Sequence, residues 1–217
     1  MTKEGRLKES RSYVIFKKPI GANSEENGDL NVPKLVREAL GCSYASSCHR
    51  LDKAVGGAIL VCTDKSAAAS LSQDVSEGKI IKEYVCVCEG DFAEDERTGQ
   101  LRDLLFFDRS KQKSFIAKKK RKGVKEASLS YEVLDRYESK NGRVLSLVKV
   151  LMHTGRTHQI RVQFASRHHA LCGDGKYGSH DNGCTTALWC YSISYKGEAT
   201  VCPPPSCYPF DLFNTKL

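Results

Sequence analysis

Cys48-His49-Arg50-Leu51-Asp52-Lys53-Ala54-Val55-Gly56-Gly57-Ala58-Ile59-Leu60-Val61-Cys62 is the stretch on which the reading of this chain turns. It passes from charged residues through a glycine pair into Ala58-Ile59-Leu60-Val61-Cys62, an apolar run that predicts a buried strand. Asp52 therefore stands in a loop directly before a strong strand.

On the N-terminal side, Tyr13-Val14-Ile15-Phe16 is β-rich and is stopped by Lys17-Lys18-Pro19 and Gly21. Residues 22–29 are polar and predict a loop. Val32, Leu35, Val36, Ala39 and Leu40 fall at helical spacing, with Pro33 suited to a first turn and Gly41 to a stop. On the C-terminal side, Thr63 or Asp64 is placed to cap a helix through Ala67, Ala68, Leu71 and Val75 that ends near Gly78. Strands are expected over residues 80–88 and 101–107. Residues 128–134 and 143–151 form a further pair, joined by Lys140-Asn141-Gly142. Residues 157–166 carry a helical period, and residues 187–195 and 199–202 close the chain as strands. Many strands with few helices predict an α+β fold with a mixed, largely antiparallel central sheet and flanking helices and loops.

The chain has 217 residues, enough for a core without staples. Lys and Arg number 34 against 26 Asp and Glu, a formal charge of +8 that favours polyanionic partners. No apolar run approaches a membrane span, and Met1-Thr2-Lys3-Glu4-Gly5-Arg6 lacks the apolar core of a signal peptide, so a cytoplasmic monomer with no membrane partner is expected. Ten cysteines include no Cys-x-x-Cys pair, so neither a zinc knuckle nor a disulfide framework is expected. Cys86 and Cys88 share one face of a strand, as small apolar residues do.

A second polar concentration is His153-Thr154-Gly155-Arg156-Thr157-His158-Gln159-Ile160-Arg161-Val162, which follows a strand and opens a helix that Thr154 or Thr157 is placed to cap. Singly, Asp52 fits a surface turn, and Arg156, His158 and Arg161 fit a solvated basic face. Together the two segments gather polar groups that cost free energy to order unless they are used.

At these residues the sequence resembles the RluA-type pseudouridine synthases. His49-Arg50-Leu51-Asp52 matches the family's His-Arg-Leu-Asp motif, and residues 154–161 match its Thr-Gly-Arg-Thr-His-Gln-Ile-Arg motif. Lys82-Glu83-Tyr84 with Gly90 resembles the Lys-x-Tyr strand, residues 13–21 the opening strand with Lys-Pro-x-Gly, and residues 173–178 the Gly-Asp-x-x-Tyr-Gly segment. Two departures stand out. Lys53-Ala54-Val55-Gly56-Gly57 replaces the usual Lys-Asp-Thr-Ser-Gly, and His168-His169-Ala170 replaces Gly-His-Pro. The resemblance implies one catalytic domain over residues 1–217, with its core at about 13–204 and without the S4-type domain of some members.

It further implies conversion of uridine in ribosomal or transfer RNA to pseudouridine, with Asp52 as the catalytic carboxylate and neither cofactor nor metal. The N1–C1′ bond breaks, the uracil turns, and C5 joins C1′. An ionised Asp52 assists by attacking C1′ or by helping to remove a sugar proton, and both routes stay open. The resemblance gives Arg161 the guanidinium that orients this carboxylate, a planar fork that Lys lacks. Tyr84 offers a flat face to the base and Ile160 an apolar wall. Arg50 and Arg156 are candidates for binding the RNA or the extruded nucleotide, while His49 and His158 read as structural hydrogen-bonding residues. Lys118-Lys119-Lys120-Arg121-Lys122 is a basic run in a loop, equally suited to backbone contact or to plain solvation.

Two other classes compete. A silent RNA-binding module on the same fold has no use for Asp52, Tyr84 and Arg161 together. A zinc deaminase needs Cys-x-x-Cys and His-x-Glu patterns that are missing.

Overall fold

The computed structural model describes residues 5–215. Residues 1–4, which bear on the reading of the N-terminus, lie outside them. The elements follow one another as β1 (Arg6–Glu9), β2 (Tyr13–Lys18), α1 (Val32–Leu40), β3 (Ser46–Ser47), β4 (Gly56–Cys62), α2 (Ala68–Ser76) and β5 (Ile81–Glu89). They continue as β6 (Thr98–Asp108), β7 (Lys113–Ile116), β8 (Val124–Glu138), β9 (Val144–Met152), α3 (Gln159–Ala165), β10 (Leu188–Tyr195) and β11 (Glu198–Val201). Strands dominate and helices are few and short, as the α+β expectation requires. No helix among the described residues is long and apolar enough to cross a membrane.

The chain forms two compact units. The first comprises residues 1–83 and 189–204. In it the strand order is β1-β2-β4-β10, with β3 also on β4 and β11 on β10. Pairing is antiparallel except between β4 and β10, which run parallel. Every residue of β4 is buried, which is why its sequence is apolar throughout rather than alternating. Gly56 and Gly57 belong to this strand because nothing larger fits. A Cβ on Gly57 would lie 2.3 Å from the Cys190 carbonyl oxygen, and one on Gly56 would lie 2.3 Å from the Trp189 ring. Gly57, which keeps the glycine of the family pattern, and Gly56, which stands where the pattern has Ser, thus admit β10 alongside β4. Helix α1 has the expected bounds. Asn31 caps it by accepting from Lys34 N at 2.9 Å, and Gly41 ends it in the left-handed region at φ 66°.

The second unit comprises residues 84–188 and 205–217. Its strand order is β5-β9-β8-β6-β7, with antiparallel β9-β8-β6-β7 pairs. Val87, Leu145, Leu147, Cys172 and Ala187 form a buried cluster against which Tyr137, Tyr208, Phe210 and Phe213 pack. Cys86 and Cys88 are fully buried with sulfurs 3.9 Å apart, as their shared strand face predicts.

Three local expectations are corrected. Asp64 caps a short 3-10 turn, Lys65–Ala67, and α2 begins only after it, because the Asp64 carboxylate accepts from Ser66 N at 2.9 Å. The third helix spans Gln159–Ala165 rather than residues 157–166, since His158 sits in the left-handed region at φ 54° and breaks the turn there. Thr154 and Thr157 do not cap it; no side-chain bond caps the position before Gln159. Strands β1, β3 and β7, short and without strong alternation, were not expected.

Candidate active site

Asp52 lies half-buried in the turn before β4 in the first unit. Its backbone is fixed from several sides. Its carbonyl accepts from Val55 N at 2.9 Å and from Lys18 Nζ at 3.2 Å. Lys18 is fully buried at the end of β2. Its ammonium also reaches the carbonyl oxygens of Val55 at 2.6 Å, Lys53 at 3.3 Å and Pro19 at 3.3 Å. An ammonium has three protons, so these carbonyls share them, and one buried cation gathers residues 52–55 around itself. Burial pulls the Lys18 pKa down to about 8, an effect that the negative charge of Asp52 opposes. One residue earlier, Leu51 is locked by Ser24, whose hydroxyl donates to Leu51 O at 2.7 Å and accepts from Leu51 N at 2.9 Å.

His49 is buried, and its Nε2 accepts from Leu60 N at 3.1 Å. That bond requires an unprotonated Nε2. Burial, and then the charge of Lys82, push the imidazole pKa down to about 3. His49 is therefore a neutral tether between the loop and β4, the structural role expected of it. Arg50 projects outward, 72% exposed, with Glu25 at 3.2 Å.

In the second unit, the turn before α3 is organised by Gln159. Its side-chain oxygen accepts from Thr154 Oγ1 at 2.7 Å and Arg156 N at 3.0 Å, and its amide donates to Ser128 O at 3.1 Å. Arg156 is half-buried and donates from Nε to Glu126 O at 2.8 Å. His158 Nδ1 lies 3.0 Å from the Tyr177 hydroxyl, which also meets Ser114 N at 2.8 Å. This is again a structural hydrogen bond.

Arg161 is buried on α3 and makes a two-pronged pair with Asp174: Nε to Oδ2 at 2.6 Å and Nη2 to Oδ1 at 2.7 Å. The Tyr177 ring lies 5.1 Å from its guanidinium carbon. Ile160 is buried beside it, and Tyr84 is buried on β5. The basic run 118–122 is exposed in the loop between β7 and β8, as expected. Lys120 pairs with Glu126 at 2.5 Å, and Arg121 lies over the Phe106 ring at 4.9 Å.

Three residues of these settings were missed as functional: Lys18, Ser24 and Asp174. Lys18 and Asp174 stood inside matched motifs, but a motif does not say which backbone atoms a side chain holds. Ser24 lies in a polar loop and carried no signal. Cys172, Asp181 and Cys184 have potential ligand atoms within 4.8 Å of one another, a grouping that Cys-x-x-Cys spacing does not detect. Arg143 already pairs with Asp181 and lies 3.6 Å from Cys172 Sγ, so a second cation there meets an existing positive charge.

The sequence model of the RNA pseudouridylate synthase family matches residues 12–166. An uncharacterized RNA pseudouridine synthase of Aquifex aeolicus is 37% identical over 153 residues, covering 70% of this chain and 45% of that protein. The dual-specificity RNA pseudouridine synthase RluA of Yersinia pestis is 29% identical, covering 79% of this chain and 80% of that one. The chain spans 45% and 57% of the Aquifex aeolicus and Bacillus subtilis relatives it matches, about half their length. Among solved structures, human RNA pseudouridylate synthase domain containing 1 superposes with a TM-score of 0.78 at 23% identity, over 97% of this chain and 87% of that one, a likeness of fold. With the motifs around Asp52 and Arg161 standing in this fold, the chain belongs to the RNA pseudouridylate synthase family.

Proposed function

We propose that this protein isomerises selected uridines of structured RNA, ribosomal or transfer, to pseudouridine, with Asp52 as the catalytic carboxylate. The observation that carries the reading is the construction of the Asp52 turn. A half-buried carboxylate stands on a backbone held by the buried ammonium of Lys18 and the hydroxyl of Ser24. Such a turn presents a side chain without having to be ordered at the moment of reaction, and preorganisation is where catalytic free energy is gained.

In this reading Asp52 acts at the sugar while the N1–C1′ bond breaks, by attack on C1′ or by assisting loss of a sugar proton. The uracil turns, C5 bonds to C1′, and the C5 proton leaves. Tyr84 lies against the base, Ile160 forms an apolar wall, and Arg161 supplies the guanidinium that the family places at its carboxylate. The uridine is flipped out of its stack, at a cost of roughly a few kcal/mol. Arg50, exposed beside the Asp52 turn, and Arg156 serve the RNA backbone or the displaced nucleotide. The chain acts as a monomer, without cofactor or metal. A mitochondrial transfer-RNA pseudouridine(32) synthase of Saccharomyces cerevisiae, 24% identical over 96% of this chain and 41% of that protein, supports transfer RNA as one substrate class.

The test is tritium release from RNA labelled at C5 of uridine, together with mapping of pseudouridine in cells with and without the protein. Release that depends on Asp52, and a uridine whose status changes in cells, are expected. Binding of RNA with no release from any ribosomal or transfer RNA would instead establish the silent binding module.

A further inference from the structure

We propose that Cys172 and Cys184 form a dithiol that hydrogen peroxide closes reversibly to a disulfide, stapling the loop that carries Asp174. The two sulfurs lie 3.7 Å apart. A disulfide needs about 2.05 Å between sulfurs, so side-chain rotation has a short distance to cover. The backbones already touch, since a Cβ on Gly173 would lie 2.6 Å from Cys184 O and 2.7 Å from Cys184 Sγ. The other close pair, Cys86 and Cys88 at 3.9 Å, lacks both features needed here. It is fully buried, and its members sit two apart on one strand, a spacing that holds their Cα atoms at the far edge of disulfide geometry.

The setting also favours reaction at the 172–184 pair. Cys184 donates its hydrogen bond to Cys172, and Arg143 Nη2 lies 3.6 Å from Cys172 Sγ. The first of these, against the opposing effect of burial, holds the Cys172 thiol below its ordinary range. Negative charge on Cys172 is what a nucleophilic sulfur requires. Cys172 is buried while Cys184 is half-exposed, so a small oxidant has a way in beside Cys184.

The chemistry balances with peroxide as the only oxidant. The Cys172 thiolate attacks one peroxide oxygen, the O–O bond breaks, and the departing hydroxide takes up the proton that Cys172 had released, giving water. Cys172 is then a sulfenic acid. The Cys184 sulfur attacks it, the S–O bond breaks, and the hydroxyl leaves with the Cys184 proton as a second water. Two thiols are oxidised and one peroxide is reduced. The new bond closes a ring over residues 172–184, which contains Asp174, the partner of Arg161. A closed ring restricts the unfolded chain and holds this loop in place.

The experiment is peroxide treatment of the whole protein, alkylation of remaining thiols, and peptide mass spectrometry, with thermal unfolding in parallel. Cys207, which is exposed, reports the peroxide dose. Expected are a linked Cys172–Cys184 peptide, its loss on adding a dithiol reductant, and an unfolding midpoint raised by roughly 5–10 °C in the linked form. Cys184→Ser, at a half-exposed position, should fold and abolish both effects. Both thiols remaining alkylatable when Cys207 is oxidised would overturn the proposal. So would linkage of either sulfur to another cysteine, an unchanged midpoint in the linked form, or a stoichiometric zinc ion that blocks alkylation of the pair until chelated.

Discussion

Arg161 and Asp174 meet as a buried two-pronged ion pair, with both carboxylate oxygens engaged at 2.6 and 2.7 Å and Tyr177 facing the guanidinium. Asp174 is 1% exposed, so neither charge has bulk water to fall back on. Such a pair adds little net stability against an apolar replacement, but removing the charge of one partner weakens what holds the other in place. What the pair secures is orientation: it fixes the plane and the direction of the Arg161 fork.

Asp174→Asn should therefore lower the unfolding midpoint by a few degrees and reduce turnover, because a neutral amide offers one oxygen where the fork now meets two charged ones. Arg161→Lys should keep the charge and still lose most activity, because an ammonium cannot bridge both Asp174 oxygens. Thermal unfolding and single-turnover rates on a confirmed RNA decide both. Wild-type rates in Arg161→Lys would mean that charge alone suffices.

Asp52→Asn should abolish product while RNA affinity stays within a few-fold, since affinity comes mainly from phosphate contacts. Turnover and filter binding measured on one preparation make the comparison. Turnover at the wild-type rate would remove Asp52 from the mechanism.

Lys18→Met should lower the saturated rate without weakening RNA binding. It leaves the carbonyls of Asp52, Lys53 and Val55 without their shared donor, while its own position is buried and out of reach of RNA. Because the Lys18 pKa is pulled down to about 8, the wild-type rate should also fall as pH rises through that value and the ammonium loses its charge. A variant that keeps that alkaline fall would assign it to another group.

His49 makes stability depend on pH in a definite direction. Its folded pKa is depressed to about 3, whereas the unfolded value is about 6.5. The unfolded chain binds the proton first, so this contribution is complete above about pH 6.5 and is lost as pH falls toward 3. Between pH 6 and 5, before most carboxylates titrate, the loss is about 1.2 kcal/mol. His49→Gln retains an acceptor for Leu60 N and cannot titrate. Denaturant unfolding of the two proteins at pH 6 and 5 should show the slope in wild type and its absence in the variant. Equal slopes would show that His49 is not held neutral.

The strong periodic elements and both polar concentrations were legible in the sequence, for identifiable reasons. β4 reads as a strand because all its side chains are buried, and α1 reads to the residue because its helical spacing is punctuated by Pro33 and Gly41; its Asn31 cap shows only in the structure. β7 has four residues, too few for alternation to register, and it is held by partners distant in sequence, such as Tyr177 on Ser114. The start of α3 was misplaced because His158 turns into the left-handed region just before it, a backbone conformation that side-chain periodicity does not report. Lys18 illustrates the wider limit. Its sequence neighbours suggest a strand end, whereas three of its four carbonyl partners lie 34 to 37 positions away, and only the folded backbone brings them to it.

The basic loop between β7 and β8 distinguishes affinity from chemistry. Replacing Lys118, Lys119, Lys120, Arg121 and Lys122 with Ser should weaken RNA binding and flatten its salt dependence, leaving the saturated rate nearly intact. The five side chains are exposed, and neither Lys120, which faces Glu126, nor Arg121, which lies over Phe106, is held by a buried partner. An exposed pair such as Lys120 with Glu126 contributes little to stability, so exchanging it for a phosphate costs little. For every phosphate of single-stranded RNA that the variant no longer neutralises, the slope of log affinity against log salt should shrink by about 0.7. Affinities across a salt series give that slope directly. An unchanged slope would make the run a solvated loop, and a collapse of the saturated rate would mean that the loop reaches the reacting nucleotide.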